Sequence, residues 1–141
     1  MSPSPLSGAA AIVGIGATEF SKKSGRSELQ LACEAVVAAL ADAGIDPSEV
    51  DGLSTFTMET NGEILVARNC GLGELKFFSR IGYGGGAACG SVQQAAMAVA
   101  TGVADVVVVY RASTNVRVCA SAWASTTVRW TRPRTGPRMR G

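Results

Sequence analysis

The sequence predicts an α/β domain with a mostly parallel sheet and one buried central helix, and three observations predict it. Strand-like and helix-like segments alternate as β-α-β-α-β-α-β, an order that favours parallel strands with helices on the sheet faces. Val106-Val107-Val108-Val109-Tyr110 is an unbroken apolar run rich in β-branched residues, as a strand covered on both faces requires. The helix predicted over 91–101 is built of small residues and is apolar nearly all round, so it belongs between two layers.

The elements follow in chain order. Ala10-Ala11-Ile12-Val13-Gly14-Ile15-Gly16 is a short apolar run ending in glycines and reads as the first strand. Residues 17–26 are polar and form a loop. Ser27 to Ala43 is the clearest helix. Ser27 and Gln30 have capping-box spacing, Leu29, Ala32, Val36, Leu40 and Ala43 recur at helical period, and Gly44 supplies a stop. A polar turn surrounds Pro47, and Gly52 to Thr57 reads as the second strand. Asn61 to Cys70 suits a short helix with Ile64, Leu65 and Ala67 inward, stopped by Gly71. Lys76 to Ile81 is the third strand. The densest glycine stretch, Gly82 to Gly90, leads into the small-residue helix. Gly102 ends that helix ahead of the valine strand.

With 141 residues, 47% apolar and 17% charged, the chain fits one domain. No apolar run reaches the ~18–20 residues that span a bilayer, so no membrane partner is expected. Met1-Ser2-Pro3-Ser4-Pro5 lacks the basic stretch of a secretory leader, which makes a cytoplasmic location the expectation. Cys33, Cys70, Cys89 and Cys119 show no C-x-x-C spacing and no histidine accompanies them. No metal is therefore expected, and each reads as a buried free thiol. The absence of histidine also excludes Ser-His-Asp or Cys-His chemistry by this chain alone.

Charge divides the chain. Residues 1–110 hold six basic and eleven acidic residues (−5), whereas 111–141 hold seven arginines and no acid (+7). Two readings of the segment 113–141 stay open: a disordered basic tail, or the out-of-frame translation of a GC-rich gene. A nucleic-acid role finds little support, because the tail has no lysine, no repeated Arg-Gly motif and no amphipathic period. A non-catalytic module whose arginines grip an acidic partner is the alternative from a different functional class.

Two glycine motifs invite chemistry. Gly14-Ile15-Gly16 begins like a dinucleotide fingerprint, but Glu19 occupies the third glycine position and would repel a pyrophosphate. The turn holding Gly84, Gly85 and Gly86 is the candidate substrate-binding site, since amides at a helix start attract anions and stabilise oxyanions. Cys89 lies beside it. It is a small packed thiol or a catalytic nucleophile, since a helix start favours the thiolate.

Ile12-Val13-Gly14-Ile15-Gly16, the turn Gly44 to Gly52, and Gly102-Val103-Ala104-Asp105 with its following valines together resemble the thiolase superfamily. The lipid-transfer-protein, acetyl-CoA acetyltransferase-like branch is the nearest. The resemblance covers residues 9–112 as a partial N-terminal thiolase-like domain. It implies a homodimeric full-length parent, acyl-CoA thioesters as substrates and no bound cofactor. The family's nucleophilic cysteine stands 17 residues before the glycine of the Gly102 segment, which is Gly85 here. Glycine has nothing to acylate. The resemblance therefore shifts to the thiolase-like branch that lacks this cysteine and cleaves steroid side-chain CoA esters by retro-aldol chemistry with an OB-fold partner protein. A cysteine-dependent acetyltransferase or ketoacyl synthase using Cys89 is the alternative. Either way, the chain alone is expected to be inactive, and its valine strand is expected to lack a neighbour on one side.

Overall fold

A computed structural model describes residues 7–21, 24–56, 59–82, 84, 86–114 and, for the backbone, 123–129. The elements are β1 (Ala11–Ala17), α1 (Glu28–Ala43), β2 (Gly52–Phe56), α2 (Glu63–Cys70), β3 (Phe77–Ile81), α3 (Ala87–Ala100), β4 (Val106–Tyr110) and β5 (Trp123–Arg129), with a short 3₁₀ turn at Pro47–Glu49. The sheet order is β1-β5-β4-β2-β3. β2 pairs in parallel with both β3 and β4, while β5 lies antiparallel to both β4 and β1. β1, β4, β2 and β3 therefore run the same way and only β5 opposes them.

β5 departs from the expected arrangement. The sequence pattern predicts no element after Tyr110, yet Trp123–Arg129 pairs on the far side of the valine strand, so β4 has neighbours on both sides. The charge of the segment masks its Thr-Thr-Val run, which is good strand material. Cys119 and the remaining tail lie outside the described residues.

Alternation along β4 divides the core. Val106, Val108 and Tyr110 pack with α1 and α2, around Leu31, Val36, Leu40, Leu53 and Val66. Val107 and Val109 pack with α3, around Ala95, Ala98 and Val99. All four valines are at most 5% exposed, and each such burial contributes roughly 2 kcal/mol. α3 therefore lies on one face of the sheet and α1 with α2 on the other.

Local chemistry explains most boundaries. Ser27 Oγ accepts the N–H of Gln30 at 3.2 Å and opens α1. The reciprocal half of that capping box is absent, because Gln30 Nε2 donates to Glu34 instead. A complete box forms at the 3₁₀ turn, where Asp46 and Glu49 cap each other. Gly44, at φ 65°, ends α1 in the left-handed region that glycine tolerates. Gly14 and Gly16 let β1 approach α1: a Cβ on either would strike the backbone of Ala39, and on Gly16 also that of Ala35. The pair thus serves packing. Glu19, the residue that spoils the nucleotide fingerprint, is paired with Arg26 at 2.6 Å.

Two burial expectations fail. Ile64 and Leu65 are 56% and 51% exposed, because α2 turns Val66, Ala67 and Cys70 inward. α3 buries Ala87, Ser91, Ala95, Ala98 and Val99 but turns Met97 outward, 45% exposed. The second layer expected beyond α3 is not among the described residues.

Candidate functional site

The carboxyl ends of β2, β3 and β4 converge where α3 begins, the usual place for a ligand in an open parallel sheet. Gly84 adopts φ 103°, which only glycine takes readily. Its carbonyl accepts the N–H of Ala87 at 3.1 Å and so turns the chain into α3. Gly86 is the N-cap and brings no side chain to cap the helix. Gly90 allows α3 to settle on β3, since a Cβ there would lie 2.9 Å from Ile81. A polar seam fixes the same contact. Ser54 Oγ meets Ser79 Oγ at 2.9 Å and donates to the Ser91 carbonyl at 3.3 Å.

Gly84 and Gly86 therefore stand together at the helix start, both exposed, while Gly85 lies outside the described residues. Cys89 is in the first turn of α3 and is exposed, so the expectation of a buried thiol is corrected there. The small residues and glycines around it leave the side chain uncovered. Cys70 is buried as expected, and burial together with the neighbouring Cys33 pushes its thiol up to about 12.

Several polar residues at this end escape sequence reasoning. Glu59 is 4% exposed. One of its oxygens accepts from both the backbone and side-chain nitrogens of Asn61, and the other accepts the N–H of Ala112 at 2.5 Å. Arg80 Nε pairs with Glu63 at 3.1 Å, and its other nitrogens donate to the carbonyls of Glu59 and Asn61. Glu28 accepts from Thr60 and Thr114, and the Thr60 hydroxyl is the main cause of its lowered pKa. Burial, then the carboxylate of Glu59, raises the Tyr110 phenol. Arg111 follows Tyr110, with its guanidinium carbon 5.3 Å from the centre of the Phe56 ring. Its Nε is buried without a hydrogen-bond partner among the described residues.

The amino ends of the strands are tied by one carboxylate. Asp51 accepts from the N–H groups of Asp105 and Val106 at 2.9 Å and from Lys76 Nζ at 3.0 Å. Asp51 in turn holds the Lys76 ammonium above its ordinary range. This bonding gives the Gly44–Gly52 turn and the Gly102–Asp105 segment a shared structural purpose. Among the described residues, no three His, Cys, Asp or Glu side chains converge as a metal site requires, and no helix is long and apolar enough to cross a membrane.

This is the fold of a thiolase-like α/β protein, and the comparisons with known proteins agree. No family model matches the chain. It is 80% identical over 109 residues to a steroid side-chain-cleaving aldolase of Thermomonospora curvata, covering 77% of this chain and 28% of that protein. It is 77% identical over 107 residues to a 17-hydroxy-3-oxo-4-pregnene-20-carboxyl-CoA lyase of Mycobacterium tuberculosis, covering 76% and 28%. Among solved structures it is similar to an Ltp2-ChsH2(DUF35) aldolase, with TM-score 0.76 and 78% identity over 79% of this chain and 29% of the other. It also resembles a monomeric SCP2-thiolase-like protein of Mycobacterium smegmatis, with TM-score 0.64 and 27% identity over 78% and 24%. The chain has the fold of the thiolase superfamily, and it spans about 28% of the length of the curated relatives it matches.

Proposed function

We propose that this chain is the N-terminal part of an aldolase that cleaves a carbon–carbon bond in a steroid side-chain CoA thioester. The observation that carries the reading is the identity of 77–80% to a steroid side-chain-cleaving aldolase and a CoA lyase. It stands beside glycine at position 85, where a covalent thiolase needs its nucleophile. In a retro-aldol cleavage a base takes the proton of the β-hydroxyl group. The Cα–Cβ bond breaks, a ketone leaves, and the electron pair becomes a thioester enolate that then takes up a proton. No acyl-enzyme is required. What is required is a donor set that stabilises the enolate, and the glycine turn Gly84–Gly86 at the start of α3 suits that task. The family resemblance places the base in the C-terminal half of the fold, outside this chain. Homodimerisation, an OB-fold partner and a cytoplasmic location belong to this reading. So does the out-of-frame origin of 113–141.

A specific observation supports a second reading. Cys89 is exposed in the first turn of α3, where a thiol could act as a nucleophile in an acetyltransferase or ketoacyl synthase. The test begins with the genomic reading frame around codon 112. It continues with the protein that the locus encodes, assayed with and without an OB-fold partner on a β-hydroxyacyl steroid CoA thioester. Release of a steroid ketone and a shortened acyl-CoA, retained in Cys89→Ala, is the expected result. Abolition of turnover by Cys89→Ala, with a labelled acyl group trapped on the wild-type thiol, would replace this reading with the covalent one.

A further inference from the structure

Arg111 has the least explained environment of any charged residue in the described structure. It follows the last residue of β4, and its Nε is buried with no hydrogen-bond partner among the described residues. A buried guanidinium nitrogen left unpaired is costly, so its retention calls for an explanation. The nearest stabilising contact is the face of Phe56, 5.3 Å from the guanidinium carbon.

The sheet register shows where that charge lies. Ser54 points to α3, since its hydroxyl donates to the Ser91 carbonyl. Strand alternation puts Phe56 on the same face. Phe56 is the register partner of Ile81, whose side chain abuts Gly90 in the first turn of α3. Arg111, Phe56 and Ile81 thus follow one another across the carboxyl end of the sheet, on the face that carries α3. The carboxylates at this end are engaged elsewhere: Glu59 with Asn61 and Ala112, Glu63 with Arg80, and Glu28 with Thr60 and Thr114. Arg111 therefore follows β4, with β2 between it and the strand that leads into the glycine turn, and its Nε is unpaired among the described residues.

We infer that Arg111 is a catalytic residue that donates hydrogen bonds to the thioester oxygen of the acyl group and holds the negative charge that develops there when the carbon–carbon bond breaks. This rests on the thioester reading above and deepens it, assigning the enolate's counter-charge to a residue that neither the glycine turn nor Cys89 supplies. Arginine suits the task because its charge is permanent and its planar fork can give two parallel N–H groups to an oxyanion.

The test uses the full-length protein that the locus encodes, with acetoacetyl-pantetheine, a thioester with no adenine nucleotide whose enolate has its own ultraviolet band. Bound to the wild-type protein, the probe should enolise at lower pH than it does free. Arg111→Gln should remove that shift and weaken binding roughly tenfold or more, Arg111→Lys should keep part of it, and Arg68→Gln should change nothing. Circular dichroism and the two-dimensional amide spectrum confirm that each variant is folded. Adenosine 3′,5′-bisphosphate serves as the other arm. If Arg111→Gln weakens that ligand and leaves the acetoacetyl enolate unchanged, Arg111 serves the nucleotide phosphates and the inference is overturned. Probe binding with an identical enolate shift in Arg111→Gln overturns the inference and leaves the thioester reading standing. No probe binding to the wild-type full-length protein overturns both.

Discussion

The two ends of the central three strands handle charge in opposite ways. At the amino end, Asp51 is nearly buried and its oxygens accept from two backbone N–H groups and a lysine. At the carboxyl end, Arg111 has a buried Nε with no partner among the described residues, the helix start is capped only by Gly86, and Cys89 faces solvent. The first end is closed chemistry, in which each donor has its acceptor and the gain is stability. The second ties Glu59, Glu63 and Arg80 as firmly but leaves Arg111 Nε unpaired among the described residues, which costs stability and suits a ligand. In an open parallel sheet these costs belong at the carboxyl ends, where the loops and helix starts lie.

Five outcomes test that contrast. The largest effect belongs to Asp51→Ala, which strips the acceptor from Lys76 and from the amides of Asp105 and Val106. It should cost about 3–4 kcal/mol in urea unfolding, mostly from the two amides left without an acceptor, since Lys76 is exposed. Glu59→Gln should cost less, about 1–3 kcal/mol by the same measurement, because the amide can keep some of the bonds to Asn61 and Ala112. A smaller loss would mean that the carboxyl end is less firmly tied than the Glu59 bonds imply.

Arg111→Gln should move stability by less than about 1 kcal/mol, since the lost stacking on Phe56 is offset by removal of the buried unpaired Nε. A loss as large as that of Asp51→Ala would mean that Arg111 is part of the frame, and the contrast between the two ends would fail. The smallest structural effect concerns the thiols. Iodoacetamide near neutral pH should modify Cys89 well before Cys70, as mass spectrometry of digests would reveal, and modification of Cys89 should leave the unfolding midpoint in place. Cys70 also sets a sign for alkaline stability. Its thiol rises from an ordinary 9.0 to about 12 in the folded chain, so its contribution is fully present below pH 9 and is lost as pH climbs towards 12. Cys70→Ala should flatten that part of the stability curve.

Much of the fold is legible in the sequence because its strongest signals are local. The valine strand, the capped helix α1 and its glycine stop need only hydrophobic period and cap chemistry, and each forms within a residue or two of its expected span. α2 is harder to orient. It has only 8 residues, and Ile64 and Leu65 look inward-facing by pattern, whereas Val66, Ala67 and Cys70 take the core face. β5 is hidden because seven arginines make the tail read as charge rather than as a Thr- and Val-bearing strand. The same division hides Arg111, which counts as the first residue of a basic tail by composition, although the structure makes it the residue that follows β4. Gly84 and Gly86 stand out because clustered glycines ahead of a helix are a local signal. Glu59 and Asp51 do not, since the bonds that carry them to Ala112 and to Asp105 and Val106 join residues more than 50 positions apart.

The central claim is that thioester ligands meet this chain at the carboxyl ends of its parallel strands. The most direct measurement is an amide chemical-shift titration of the ¹⁵N-labelled chain with acetoacetyl-pantetheine. The largest shifts are expected at Gly84, Gly86, Ala88, Cys89 and Arg111, with Asp51, Lys76 and Asp105 unmoved. Shifts gathered around Asp51 and Asp105, or no saturable shift at Gly84 and Gly86, would contradict it.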